Sequence, residues 1–151
     1  MVRNLKGKRP EYFEAILQLR DCTEEVRGFV ISKIAKNNIG VAKDLKVKGG
    51  WDLYLSDNNF TRALGKKLQD KFGGKVQMSA SLWGKKEGKE VYRVTVLFRL
   101  AGFIKGDIVE YGGEEYKVKM MLEKDILLQH TKTGEKVHVK YKEMGKIKKI
   151  K

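Results

Sequence analysis

Between Tyr12 and Arg20 apolar and polar positions alternate. Phe13, Ala15, Leu17 and Leu19 share one face at period two, and Tyr12, Glu14, Ile16, Gln18 and Arg20 share the other, which predicts a strand with one apolar face. The period then changes. Asp21 and Thr23 are candidate helix caps with Glu24 and Glu25 in the first turn, where carboxylates meet the positive end of the helix dipole. Val26, Phe29, Val30 and Ile34 recur at helical spacing, and Asn37-Asn38 ahead of Gly40 marks the stop. Residues 39–50 carry neither period and are expected to form a loop or a short irregular strand, closed by Gly49-Gly50.

Trp51 to Leu55 alternates again, and Ser56 or Asp57 caps a second helix in which Phe60, Leu64, Leu68 and Phe72 stand at steps of four before Gly73-Gly74 ends it. Lys75–Trp83 and Val91–Arg99 read as a hairpin pair. Val76, Met78, Ala80, Leu82, Tyr92, Val94, Val96 and Phe98 form its buried face, and Gln77, Ser79, Ser81, Trp83, Arg93, Thr95 and Arg99 its open one. This order predicts an α+β domain over residues 11–101, a two-layer βαβαββ sandwich with both helices on one face of a largely antiparallel sheet. From residue 102 to 151 short strands alternate with tight turns such as Gly112-Gly113. Five strands in about 50 residues predict a small all-β SH3-like barrel. Residues 1–10, basic and closed by Pro10, are expected to be an extended arm.

Charge changes the picture from fold to partner. Lys and Arg number 33 against 19 Asp and Glu, a formal net charge of +14 in 151 residues. A field of that sign attracts polyanions. Membrane fits poorly, because no apolar run approaches the ~18–20 residues of a bilayer span. The first ten residues lack the apolar segment of a signal peptide, so a cytoplasmic location is expected. The single cysteine, Cys22, excludes an internal disulfide and a multi-cysteine zinc site within this chain, and is read as a half-buried thiol. His130 and His138 are read as ordinary strand positions with no carboxylate at ligand spacing.

The phosphate-loop, nucleophile-elbow and zinc-protease motifs are all missing, and the paired glycines punctuate turns. Asp52 and Asp57 flank a strand end where two carboxylates can hold a metal, but turn and cap roles suit them better. No cofactor, metal or small-molecule substrate is expected. The candidate chemistry is phosphate neutralisation by four basic features. The arm offers Arg3, Lys6, Lys8 and Arg9; the second helix Arg62, Lys66 and Lys67; the hairpin loop Lys85, Lys86 and Lys89; and the end of the chain a lysine run from Lys140 to Lys151. On the open sheet face Tyr54 and Trp83 are candidates for stacking on unpaired bases, beside Arg93 and Arg99.

Three stretches carry a resemblance: Arg9-Pro-Glu-Tyr-Phe-Glu-Ala-Ile-Leu-Gln-Leu19; Gly50-Trp-Asp-Leu-Tyr-Leu55 with Phe60, Ala63-Leu64 and Lys71-Phe-Gly-Gly74; and Val91-Tyr-Arg-Val-Thr-Val-Leu-Phe-Arg-Leu100. In this order and spacing the chain resembles the archaeal branch of the Nmd-type large-ribosomal-subunit adapter family, whose eukaryotic members are nuclear export adapters. The resemblance implies a non-enzymatic factor on the intersubunit face of the large subunit, with rRNA and ribosomal proteins as partners. It would act during maturation or by blocking premature subunit joining. It also implies a ribosomal-protein-like first domain and a barrel resembling the SH3-like half of the hypusine-bearing translation factor, from Gly106 through Lys142. The chain departs from that factor at the short turn near Lys124-Asp125, so hypusine is not carried over. Family members usually begin with a cysteine-rich zinc module. This chain has only Cys22, so it is expected to be a member cut just before Arg9 or shortened in its gene. An export role finds no support, and a monomer is expected. Two other classes stay open on the residues alone: a free-standing RNA- or DNA-binding regulator, and a metal-dependent enzyme acting on RNA through Asp52 or Asp57.

Overall fold

A computed structural model describes residues 12–86, 88–122 and 124–150, apart from the Lys86 side chain. The chain is a mixed α+β protein with two five-stranded sheets and two α-helices among the described residues. It divides into two compact units. Of the described residues, one comprises those from 12 to 67 together with Val76–Arg99, the other Leu68–Lys75 together with those from 100 to 150.

Up to residue 100, where Leu68–Lys75 and Leu100 fall in the second unit and the rest in the first, the elements run β1 Ala15–Arg20, α1 Glu24–Lys36, β2 Val41–Val47, β3 Gly50–Leu55, α2 Asn58–Phe72, β4 Gly74–Lys86 and β5 Lys89–Leu100. The strand order is β2-β3-β1-β5-β4. β3 is antiparallel to β2 and to β1, whereas β1 and β5 run parallel, with Leu17 beside both Leu53 and Val96. Every second residue of β1 and β3 is buried, and Val94, Val96 and Phe98 of β5 continue that layer. Thr23 caps α1 by accepting the Val26 N–H, and Val26, Val30 and Ile34 supply its buried stripe. Asp57 caps α2 by accepting the Phe60 N–H at 2.8 Å. In mid-helix, Gly65 leaves room for the sheet: a β-carbon there would lie 2.7 Å from Val96 Cγ1.

Met78, Ala80 and Leu82 of β4 and Tyr92 of β5, read as part of a buried face, are exposed, because β4 is the edge of the sheet, and two further expectations change. Of the two readings for residues 39–50 the short irregular strand holds: they contain β2, with a register irregularity between Val41 and Lys43, so the order is βαββαββ and not βαβαββ. Its exposed positions, Val41, Lys43, Asp44, Leu45 and Lys46, lack a buried face and therefore the period that marks a strand. Phe13 does not share the face of Ala15. The backbone bends at Glu14, the Glu14 carboxylate turns to accept the Asn58 N–H at the start of α2, and Phe13 reaches the opposite face, against Tyr54.

In the second unit β6 Ile108–Tyr111, β7 Glu114–Met121, β8 Asp125–His130, β9 Lys136–Lys140 and β10 Lys148–Lys149 form a sheet of order β10-β6-β7-β8-β9. Gly112 and Gly113, both at positive φ, make the two-residue turn between β6 and β7. Val109, Val118, Ile126, Leu128, Val139, Tyr141 and Met144 are buried in one core. A closed barrel was expected. Among the described residues β9 does not pair with β10, which is only two residues long, so the ladder is open. The Tyr141 hydroxyl donates to the Leu122 carbonyl at 2.6 Å and accepts from Gln69 at 3.3 Å. Burial pushes this phenol up to about 12, partly offset by the Gln69 hydrogen bond.

Candidate nucleic-acid interface

Because α1 and α2 cover one face of the first sheet, alternation leaves Ile16, Gln18, Arg20, Asp52, Tyr54, Arg93, Thr95 and Arg99 on the other. None of these is fully buried. One row of side chains crosses this face in strand order. Trp83 of β4 lies against the Arg93 guanidinium of β5, whose carbon is 3.9 Å from the ring centroid. The same guanidinium is 3.9 Å from the centroid of Phe13, just ahead of β1. Phe13 meets Tyr54 of β3 edge to face at 4.8 Å, and the Lys43 ammonium of β2 stands 5.4 Å from the Tyr54 ring. Tyr12 adds a tilted contact to Trp83 at 6.1 Å.

The cations on this face fall into two kinds. Arg20 pairs with Asp52 at 2.8 Å and Arg99 with Asp21 at 2.7 Å, so carboxylates neutralise both. Arg93 and Lys43 instead rest on aromatic faces, whose negative quadrupole attracts a cation without cancelling its charge. Neither makes an ion pair among the described residues, and Arg93 Nε is buried there without a hydrogen-bond partner. On the helix side, Arg27 grips Asp44 through two hydrogen bonds of 3.0 and 2.6 Å, which raises its pKa further and removes it as a free cation.

The residues proposed from sequence thus separate in space. Tyr54, Trp83 and Arg93 come together, but both rings are already engaged from within, so they are not bare platforms. Arg99 shares their face but is paired. Arg62, Lys66 and Lys67 are exposed on α2, which turns Gly65 to the sheet, so they belong to the helical layer on the opposite side. Lys85 and Lys89 are exposed on the β4–β5 hairpin. Arg3, Lys6, Lys8 and Arg9, and the Lys86 side chain, lie outside the described residues. Sequence pattern did not reveal Lys43, which sits on a strand without a buried face, or Phe13, which the bend at Glu14 turns over.

Elsewhere, His130 and His138 stand on β8 and β9, and each has a carboxylate beside it: Glu114 lies 2.6 Å from His130 and Asp125 3.1 Å from His138. Strand pairing supplies these contacts, so local spacing did not reveal them. His130 Nδ1 accepts the Lys132 and Thr133 N–H groups, so its Nε2 proton faces Glu114. Among the described residues no three His, Cys, Asp or Glu side chains gather as metal ligands. A hollow of about 310 Å³ in the second unit is lined by Lys105, Gly106, Lys117, Val118 and Lys119. Among those residues, too, no helix is long and apolar enough to cross a membrane.

The first unit is an α+β module whose sheet face opposite the helices carries cations held on aromatic rings. Residues 12–100 match the family model for NMD3, second domain, which is more than half of the chain. The chain belongs to the NMD3 family, a ribosome-related adapter family. No curated protein matches it.

Proposed function

We propose that this chain is a non-enzymatic, cytoplasmic, monomeric adapter that docks on rRNA of the large ribosomal subunit, during maturation or to hold off subunit joining. The observation that carries the proposal is the row Trp83–Arg93–Phe13–Tyr54–Lys43 on the sheet face opposite the helices, where two cations have no carboxylate partner among the described residues. RNA offers phosphates to those charges and unpaired bases to the ring edges and the partly exposed Trp83. Lys85 and Lys89 extend the positive charge along the hairpin. The second unit, read as the SH3-like module, adds a second contact.

Cosedimentation with purified large subunits across a salt series tests this. Lys43→Glu with Lys85→Glu should weaken binding by about tenfold or more. For every phosphate that the variant no longer neutralises, the log–log salt dependence should flatten by about 0.7–0.9. Lys66→Glu with Lys67→Glu, on the helical layer, should have the smaller effect. The reverse ranking moves the interface to α2, and wild-type chain that stays in the supernatant at low salt ends the proposal.

A further inference from the structure

Among the described residues each five-stranded sheet ends in two strands with one side unpaired, and such edges invite pairing with other chains unless charges, bulges or brevity blunt them. Three of the four edges are blunted. β2 carries Lys43, Asp44 and Lys46 and a register irregularity between Val41 and Lys43. β9 carries Lys136, His138 and Lys140, and β10 is only the two residues Lys148–Lys149.

β4 is different. It is 13 residues long and ends the order β2-β3-β1-β5-β4. Every residue from Gln77 to Lys85 is exposed. Val76 through Gly84 holds no charge and no proline, in a chain of which 34% is charged. Charges stand only at its ends: Lys75 before the run, Lys85 and Lys86 after it. Gln77, Ser79 and Ser81 line one face and Met78, Ala80 and Leu82 the other, with Leu82 55% exposed.

We infer that β4 is a docking edge for one extended segment of a protein partner, which adds to the sheet as a further strand. A free strand edge presents alternating N–H and C=O groups. The phosphates of a nucleic acid are acceptors only, and the ribose hydroxyls of RNA, one per nucleotide, do not repeat at the spacing of the strand carbonyls, whereas a polypeptide strand meets both groups in register. A second copy of this chain fits badly. Antiparallel pairing of β4 with itself about Ala80 sets Lys75 against Lys85 at both ends, and each copy carries +14. The complement is a segment of about eight or nine residues at about 3.3 Å each. It is apolar beside Met78 and Leu82, polar beside the serines, and acidic at its ends.

Strand addition at β4 is independent of RNA binding and is tested without a ribosome. The full chain is titrated with a nine-residue peptide of alternating valine and threonine ending in glutamates, and amide exchange is followed by NMR. Exchange over Val76–Gly84 should slow by at least about tenfold at saturation, while the same peptide ending in lysines binds about tenfold more weakly. Ser79→Lys with Ser81→Lys, at two exposed positions, should abolish the effect while the amide spectrum of the rest of the chain stays folded. Three results would overturn the inference: no slowing at about millimolar peptide; equal slowing by both peptides; or unchanged slowing in the double-lysine variant. Protection that rises with protein concentration alone would put a second copy on the edge in place of a partner, and protection of these amides by a single-stranded RNA would assign it to nucleic acid instead.

Discussion

Arg93→Gln removes the guanidinium that lies 3.9 Å from the centroids of both Phe13 and Trp83, while keeping much of the aliphatic stem. A cation–π contact contributes about 0.5–1 kcal/mol when exposed and about 2 kcal/mol when desolvated. Trp83 is 46% exposed, so its contact belongs at the lower end; Phe13 is half-buried, so its contact sits between the two. Together they sum to about 1.5–2 kcal/mol. The substitution brings no relief at the buried Nε, which has no partner among the described residues, because the glutamine amide stands about where Nε stood and is itself polar. The net loss of stability should therefore be about 1.5–2 kcal/mol. A single variant mixes the two contacts, so the informative quantity is the coupling in double-mutant cycles of Arg93→Gln with Trp83→Leu and with Phe13→Leu. Urea unfolding followed by far-UV circular dichroism should give coupling of about 0.5 kcal/mol for the tryptophan and about 1 kcal/mol for the phenylalanine. Arg93→Lys should keep the charge but weaken both couplings, since an ammonium has no plane to stack between two rings. Coupling below about 0.2 kcal/mol in both cycles would refute the stack as an energetic unit in solution.

Two further outcomes follow from the packing. Glycine to alanine inside a helix ordinarily stabilises by about 1 kcal/mol, but Gly65→Ala sets a β-carbon 2.7 Å from Val96 Cγ1 and 3.4 Å from Val76 Cγ1. Overpacking of about 1–3 kcal/mol should win, and Val96→Ala should relieve part of it, as read in urea midpoints; a more stable Gly65→Ala would show that α2 does not seat on β5 there. The Tyr141 phenol, ordinarily at 10.0, is pushed up to about 12 by burial, so the folded state holds this proton more tightly than the unfolded chain. Its contribution is complete below pH 10 and is lost as pH rises from 10.0 toward 12, by about 2–3 kcal/mol in total. Tyr141→Phe should remove that part of the alkaline destabilisation, measured as the difference between the two urea–pH series. Parallel series would place the loss elsewhere.

Periodicity was legible wherever one face of an element is buried. β1, β3 and β5 alternate because one side packs under the helices, and α1 and α2 show their stripes for the same reason. For β2 the pattern left a loop and a short irregular strand side by side, because an exposed edge strand has no face to hide. The parallel pairing of β1 with β5 joins residues far apart in sequence, so local pattern does not contain it. At the site, alternation placed Tyr54, Trp83 and Arg93 on the open face correctly, but not their order. The bend at Glu14 brings Phe13 between Arg93 and Tyr54, and β2 adds Lys43; both depend on contacts formed only when the sheet assembles. Charge was legible in amount but not in availability: Arg20, Arg27 and Arg99 count toward +14, yet each already holds a carboxylate.

The two tryptophans sit on opposite sides of the same sheet. Trp51 is 8% exposed beneath the helices, under Arg27 at 5.4 Å, and Trp83 is 46% exposed on the open face. The chain therefore carries its own optical reporter, one indole reading the core and the other the surface where a ligand would arrive. Iodide, drawn in by the positive field, should quench only the Trp83 share of the emission. A ligand settling beside Arg93 should shield that share and leave Trp51 silent.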